Sequence, residues 1–271
     1  MNQIDLFCLV TDVNDYEDDT SITYNFLSQL ESVGAKEVIR KYKGDKLRWA
    51  LKPVFTKFLL ESGYDQVMYV DNDIYFYSSP DFLFEKLHTS SFLITPHFYK
   101  SNPNKDQNWL EANYRVGLYN AGFFAVNGTA IPILDWWANC CAYNVKKAYW
   151  RGLFDDQKYL DLVPVIFENV EVVKHRGCNF AGWNCDEVAL NSKEEVLYID
   201  NDKLVFIHFA QLSMERFSEP KSDVHGQYIQ YLNALKSNHP SYEFRGKKRS
   251  LLSFSAYFYY LRWKLVRLFE N

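Results

Sequence analysis

Residues 66–77, QVMYVDNDIYFY, limit most strongly what this chain can fold into. The apolar residues that precede Asp71 predict a buried strand, because Val, Met and Tyr suit a covered pleated surface. In an extended chain residues i and i+2 point to the same side, so Asp71 and Asp73 are expected to converge at the carboxyl end of that strand. Neighbouring carboxylates repel unless a cation lies between them, and Mg²⁺ or Mn²⁺ prefers such ligands together with phosphate. The segment therefore predicts a metal-diphosphate site.

The same tripeptide occurs a second time, at residues 200–202. There it joins two short β-prone runs, 196–199 and 204–208. Asn and Asp tolerate turn geometry and hydrogen-bond their own backbone, so this copy predicts a hairpin turn. Taken alone, the first copy is equally open to a structural and a functional interpretation.

Composition restricts the class of protein. The chain has 271 residues, 48% of them hydrophobic and 18% aromatic, which predicts one large domain, or one domain with appendages, with an ample core. The start has no basic region and no run long enough for a signal peptide, and no stretch predicts a membrane span. Five cysteines without a CxxC pair are typical of reduced, cytosolic thiols. The sequence contains neither GxGxxG nor a P-loop, and no nucleic-acid partner is expected.

The first part of the chain follows an α/β order. Residues 4–10 predict a strand that ends at Thr11-Asp12, and residues 21–33 and 46–62 predict helices. Lys52 lies on the second of these helices, which leads through Gly63 into the strand before Asp71. Lys52 is open to two interpretations, a solvated helix charge or a contact to phosphate or sugar.

Three further positions each have a structural and a functional interpretation. Asn120 and Gly122 lie in a predicted strand, where glycine indicates either a bulge or the close approach of a ligand or another backbone. Asp156-Gln157 opens a predicted helix, where an acid is a cap or a catalytic group. His208 ends the last predicted strand, as a structural residue or as a metal ligand.

The last 27 residues differ from the rest. Residues 245–271 contain seven basic residues and one acid, a charge of +6, so residues 1–244 carry −10 of the whole chain's −4. Apolar residues recur every three or four positions and predict a basic amphipathic helix. Such a helix suits an anionic membrane surface, here through residues 247–269, or packs on the body or a partner.

Seven segments, in order, resemble the metal-dependent nucleotide-sugar glycosyltransferases of the A-type fold, in particular the glycogenin-like and lipopolysaccharide galactosyltransferase-like branch. They are RWALKP (48–53), GYDQVMYVDNDIYFY (63–77), ITPH (94–97), YNAGFFAVN (119–127), FDDQKYLDLVP (154–164), NFAGWN (179–184) and FIHFA (206–210). The resemblance implies an α/β fold: a single Rossmann-like nucleotide-diphospho-sugar transferase domain over residues 1–244, with a central mixed, mostly parallel sheet, before the helical tail 245–271.

The resemblance also implies roles for individual residues. It implies Asp71, Asp73 and His208 as ligands of Mn²⁺ or Mg²⁺ on the diphosphate of the donor. The implied nucleotide-sugar contacts are Thr11, Asp12, Tyr16, Lys52, Asn72 and Gly122. The implied catalytic residues are Asp156, Gln157 and Asn120, and the implied acceptor side consists of Asn179, Trp183 and Asn184.

The expected activity is transfer of a sugar, with retention of configuration, from a nucleoside-diphosphate sugar such as a UDP-sugar to a hydroxyl of a surface glycan or lipid-linked acceptor. The expected location is the cytoplasmic face of a membrane. Two departures from the family stand out: Gln211 replaces the glycine that often follows the late histidine, and the stretch before Lys52 is short. A sugar-nucleotide-forming nucleotidyltransferase and a non-catalytic glycan- or membrane-binding module are the alternatives.

Overall fold

The computed structural model describes residues 4–12, 19–193 and 196–238, together with 240, 242 and 244. The described residues fall into two compact units, one that ends at Phe217 and one that begins at Ser218. The predicted tail, residues 245–271, lies outside the described residues, so its helix and the boundary at 244 stay predictions.

Strands and α-helices are interspersed along the described residues. The strands are β1 Leu6–Val10, β2 Ile22–Phe26, β3 Gln66–Val70, β4 Ile74–Phe76, β5 Phe92–Pro96, β6 Tyr119–Asn127, β7 Val170–Val172, β8 Leu190–Lys193, β9 Val196–Ile199, β10 Asp202–Lys203 and β11 Phe206–His208. The α-helices are α1 Val33–Lys41, α2 Asp45–Glu61, α3 Asp81–Lys86, α4 Gln107–Arg115, α5 Ile131–Tyr143, α6 Val163–Ile166, α7 Gln211–Phe217 and α8 His225–Asn238.

The largest sheet has four strands in the order β3-β6-β5-β7. Its β5–β7 pair is parallel, whereas β3–β6 and β5–β6 are antiparallel. The expected mixed α/β class is therefore confirmed. The expectation of mostly parallel pairing is wrong for this sheet, because β6 runs antiparallel to both of its neighbours, β3 and β5.

Both faces of this sheet are covered. Successive residues of β6 alternate between two cores: Phe124 packs with α2 and α5 on one side, and Phe123 packs with Leu83 and Phe206 on the other. A strand buried on both faces reads as a continuous apolar run, which explains the pattern in residues 121–126. Packing on both faces holds the sheet in place and thereby positions the residues that follow β3, which begin with Asp71.

The predicted helix over residues 21–33 is wrong. Ile22–Phe26 forms β2, which pairs in parallel with β1, a short 3-10 helix follows at Leu27–Gln29, and an α-helix begins only at Val33. The sequence ITYNF contains β-branched and aromatic residues, which favour a strand over a helix.

The hairpin predicted for residues 200–202 is confirmed. β9 and β10 pair antiparallel, with Ile199 opposite Asp202, and Asp200 has a φ of 57°. The turn also anchors a neighbouring loop, because Asp202 Oδ2 accepts the Arg176 N–H at 2.6 Å. The carboxylates of Asp200 and Asp202 therefore accept backbone hydrogen bonds that stabilise the fold.

Candidate metal centre

Asp71 and Asp73 come together through a turn. β3 ends at Val70, and the Ile74 N–H donates to the Asp71 carbonyl at 3.1 Å, which closes a four-residue turn before β4. Asn72 is exposed within this turn. The convergence predicted for the two carboxylates is present, but the turn produces it and the expected extended chain does not.

His208 reaches this turn from the end of β11. β4 and β11 pair antiparallel with Ile74 opposite His208, and the Phe209 N–H donates to the Asp73 carbonyl at 2.7 Å. This register places His208 Nε2 3.0 Å from Asp73 Oδ1. One ligand atom from each of Asp71, Asp73 and His208 lies within 4.8 Å of the others.

The donor set fits a divalent cation such as Mn²⁺ or Mg²⁺. Two carboxylates and an imidazole are suitable ligands for a transition-type ion. His208 Nδ1 is buried and has no hydrogen-bond partner among the described residues. Burial raises the pKa of Asp73, but the hydrogen bond and charge of His208 outweigh burial and hold that pKa below its usual value. Asp73 is therefore an anion in the pH range where metals bind.

A buried lysine lies beside this group. Lys52 is 5% exposed, and its Nζ lies 3.0 Å from Asp71 Oδ1, 3.1 Å from the Ala121 carbonyl and 3.4 Å from Asp156 Oδ2. The ring of Tyr69 faces the same ammonium at 5.3 Å, and its hydroxyl donates to Asp71 at 2.8 Å. Lys52 thus joins Asp71 to Asp156. Its ammonium is engaged by protein oxygens, unlike that of a solvated helix lysine.

Asp155 and Asp156 form a buried acidic pair. Burial, together with the charges of Asp155 and Asp71, raises the pKa of Asp156 to about 7, against the opposing effect of Lys52. Burial lowers the pKa of Lys52, but the charges of Asp156 and Asp71 raise it by more. The net pKa lies above the usual value, so the ammonium stays charged. Lys52 Nζ lies closer to Asp71, at 3.0 Å, than to Asp156, at 3.4 Å. Gln157 follows, half-buried, with its side chain donating to the Val116 carbonyl at 3.4 Å.

Asn120 belongs to a buried hydrogen-bonded chain. His97 Nδ1 lies 3.0 Å from the Gly117 carbonyl, which only accepts, so Nδ1 carries the ring proton. His97 Nε2 therefore accepts from Asn120 Nδ2 at 3.2 Å, and Asn120 Oδ1 accepts the Gly122 N–H at 2.8 Å. Both polar ends of Asn120 are thus engaged within the protein.

The residues predicted for the acceptor side adjoin the hydrogen-bonded side chains of His97 and Asn120. The Trp183 ring meets His208 edge-on at a centroid distance of 5.2 Å and His97 at 5.9 Å. Asn184 Nδ2 donates to the carbonyls of His97 and Asn179, both at 3.0 Å. Asn179 has a φ of 60°, a conformation that asparagine tolerates better than most residues.

The remaining predicted contacts lie at the end of β1. Thr11 and Asp12 directly follow that strand, half-buried and exposed respectively. Tyr16 lies outside the described residues. The geometry thus joins Lys52, the carboxylates, the histidine and the buried asparagines at one place.

Sequence reasoning missed two members of this site. His97 lay within the ITPH segment but received no role, although its buried hydrogen bonds orient Asn120. Lys147 gave no signal in the sequence, yet its Nζ lies 3.7 Å from Asp155 and over the ring of Phe154. A lysine in a connecting segment resembles any surface lysine until the fold is known.

Comparison of the sequence with known proteins identifies relatives but no activity. No protein-family model matches the chain. Two uncharacterized proteins of Bacillus subtilis (strain 168), YfnF and YfnD, are each 30% identical to it, over 184 and 173 residues. These alignments cover 64% and 61% of this chain, but 59% and 53% of the relatives, so the chain spans less than two thirds of the curated relatives it matches.

Among solved structures, the apo form of mouse xyloside xylosyltransferase 1 is similar to this chain at a TM-score of 0.37, with 13% identity. The similarity covers 58% of this chain and 63% of that protein. A score this low establishes neither a shared fold nor a shared activity. Within the described ranges, none of the helices has the length and apolar character needed to cross a bilayer.

Proposed function

We propose that this protein is a metal-dependent glycosyltransferase that moves a sugar from a nucleoside-diphosphate sugar to a hydroxyl group. The convergence of Asp71, Asp73 and His208 within 4.8 Å is the observation that carries the proposal. The resemblance of the ordered sequence segments supports the same reaction class. The donor is proposed to be a UDP-sugar and the cation Mn²⁺ or Mg²⁺.

In the reaction, the bond between the anomeric carbon and the diphosphate oxygen breaks, and its electron pair stays on the diphosphate. The acceptor oxygen forms the new bond to that carbon with retention of configuration, and its proton passes to the departing diphosphate. A bound cation would stabilise the negative charge that grows on the leaving diphosphate. The two carboxylates and His208 would hold the cation, and Lys52 pairs with Asp71 and orients its carboxylate.

Asp156 and Gln157 are proposed to lie beside the anomeric carbon. That carbon gains positive charge as the bond breaks, as in glycoside hydrolysis. A carboxylate stabilises such charge, whereas a protonated Asp156 can donate a hydrogen bond to the sugar. With burial raising the pKa of Asp156 to about 7, both forms are accessible near neutral pH.

The acceptor is proposed to bind near Asn179, Trp183 and Asn184. Asn179 Oδ1 and Trp183 Nε1 are buried without a hydrogen-bond partner among the described residues. Buried polar atoms are normally paired, so such atoms call for water or for a ligand. The hydroxyl groups of a glycan or lipid-linked sugar would satisfy both. Thr11, Asp12 and Tyr16 are proposed to contact the base and ribose.

Thermal unfolding of the full chain with a panel of nucleoside diphosphates, with and without Mn²⁺, tests the proposal. A ligand present at about 100 times its Kd stabilises the native state by about 2.7 kcal/mol, so the correct nucleotide with metal should raise Tm. The double variant Asp71→Asn/Asp73→Asn should lose the Mn²⁺-dependent increase.

The second Asp-Asn-Asp copy supplies a matched control. Asp200→Asn/Asp202→Asn changes the same residue types in a turn outside the candidate centre, and should keep the Mn²⁺-dependent increase in Tm even if the fold is less stable. Metal-dependent stabilisation or sugar transfer that persists in Asp71→Asn/Asp73→Asn would refute the proposed site.

The place of action is proposed to be the cytoplasmic face of a membrane, with residues 247–269 on the lipid surface. The basic cluster and apolar stripe of the sequence support this proposal. A lipid-linked acceptor would then lie close to the enzyme.

A further inference from the structure

Gly122 connects the two segments that carry the candidate metal ligands. It lies in the middle of β6, close to the point where β3 ends. Its carbonyl accepts the Asp71 N–H at 2.8 Å, so the backbone of the first ligand is bonded directly to it. Its own N–H donates to Asn120 Oδ1 at 2.8 Å. Both polar groups of this glycine are therefore engaged.

The α-carbon of Gly122 faces the ring of His208. A Cβ at this position would lie 2.5 Å from His208 Cε1, 3.0 Å from Nδ1 and 2.7 Å from Asn120 Oδ1. Contacts below 3.0 Å force a neighbour to move, because protein interiors have little free space. The backbone of Gly122 is not in the left-handed region, so space for the imidazole is the requirement that glycine meets here.

The anchor of Gly122 is itself held in place. Asn120 is 5% exposed, and its amide nitrogen donates to His97, which is 2% exposed and donates in turn to the Gly117 carbonyl. Burial lowers the pKa of His97 to about 3, so the ring stays neutral and keeps its acceptor nitrogen toward Asn120. A chain of buried, paired groups has few alternative arrangements.

We infer that Gly122 is a positioning residue of the candidate metal centre, which sets the separation of His208 from Asp71 through its carbonyl and its missing side chain. The inference rests on the proposed function, since the distance between His208 and Asp71 matters only if both bind the same cation. It assigns Gly122 and Asn120 to the support of the ligands, in place of the donor contact and catalytic role expected from the family resemblance.

The direct test compares Gly122→Ala with Gly128→Ala in the full chain of 271 residues. Gly128 directly follows the same strand, and a Cβ there would meet nothing within 4 Å. Mn²⁺ affinity is measured by titration calorimetry or by the electron paramagnetic resonance of free Mn²⁺. Changes to residues that orient metal ligands typically weaken binding about 10- to 100-fold, and Gly122→Ala should fall in that range. Gly128→Ala should match wild type. Wild-type affinity in Gly122→Ala would overturn the inference.

A double-variant cycle separates this inference from the proposed function. Urea unfolding is measured for wild type, Gly122→Ala, His208→Ala and the double variant. If the alanine methyl group clashes with His208, Gly122→Ala lowers the midpoint much more when His208 is present than when it is absent. An equal change in both backgrounds would overturn the inference. If wild type fails to bind Mn²⁺, the proposed metal function fails, and this cycle still decides whether Gly122 positions His208.

Discussion

Lys52 is the residue whose environment most contradicts its usual behaviour. An ammonium group is rarely buried unless it is paired, and Lys52 is 5% exposed with Asp71 and Asp156 beside it. Its charge offsets part of the repulsion between these carboxylates. One cation therefore connects the proposed metal ligand to the proposed catalytic acid.

Replacement of this lysine should be costly. In Lys52→Met, the buried Asp156 and the partly exposed Asp71 lose their cation, and breaking a buried pair typically costs about 3–5 kcal/mol. Lys57→Met on the same helix is the control, because Lys57 pairs with Asp135 and Glu61 at the surface, where a pair contributes about 1 kcal/mol or less. Urea unfolding measures both variants. Equal losses for the two would contradict the buried-pair interpretation.

His97 predicts a pH dependence of stability. Burial lowers its pKa from 6.5 to about 3 in the folded state. Between these values the unfolded chain binds a proton that the folded protein does not, so folding stability falls as the pH drops below 6.5. The slope from this residue is about 1.4 kcal/mol per pH unit. Urea unfolding of His97→Gln between pH 7 and 5 should show a smaller slope than wild type.

The exposed histidine at position 88 provides the control. The His88 side chain is 67% exposed, and His88→Gln should keep the wild-type slope. If His97→Gln and wild type lose stability in parallel as the pH falls, His97 is not the group responsible.

At the scale of elements, β11 depends on neighbours that are distant in sequence. β4 pairs with it on one side, and on the other the His208 N–H donates to the Phe180 carbonyl at 2.9 Å. The segment before Phe180 also approaches closely, since the Gly177 carbonyl accepts from Val205 and Phe206. The strand that presents His208 is therefore held from both sides.

This close approach predicts a sensitive glycine. A Cβ at Gly177 would lie 2.0 Å from the Lys203 carbonyl oxygen, so Gly177→Ala requires a backbone shift. Overpacking of this kind typically costs about 1–3 kcal/mol or more. Gly34→Ala in α1, where a Cβ meets nothing within 4 Å, should be neutral or stabilising by up to about 1 kcal/mol. Thermal and urea unfolding compare the two, and a Gly177→Ala variant as stable as Gly34→Ala would contradict the expected clash.

For the whole molecule, the uneven charge distribution predicts membrane binding through the tail. Each basic residue near an anionic surface contributes about 1 kcal/mol, so neutralising three of them should weaken binding roughly 100-fold. The variant Lys247→Gln/Lys248→Gln/Arg249→Gln of the full chain should sediment less with vesicles containing phosphatidylserine.

Two lysines in the body serve as the comparison. Lys193→Gln/Lys203→Gln removes exposed positive charge outside the tail and should leave sedimentation close to wild type. Equal sedimentation of the tail variant and wild type would reject the membrane interpretation.

Several elements could be predicted from local sequence. The apolar runs before Asp71 and after Tyr119 predict strands and residues 46–62 predict a helix, and all three are present, because a strong local pattern agrees there with burial. The β2 strand was missed because a helix is predicted for residues 21–33 as a whole, although ITYNF within it contains the β-branched and aromatic residues that favour a strand. The turn at Asp71 was missed, because three polar residues in sequence are compatible with a turn and with an extended chain.

The sequence by itself determined which residue types were available: a carboxylate pair, a late histidine, a lysine on a helix and a glycine within an apolar strand. Only the tertiary structure decided which of the two Asp-Asn-Asp copies meets His208, because that depends on the β4–β11 register. It also decided that Lys52 is buried and that the space beside Gly122 is occupied by an imidazole. Such contacts join residues that are far apart in the sequence: Lys52 and Asp71 are 19 positions apart, and Asp71 and His208 are 137 positions apart. No local pattern encodes them.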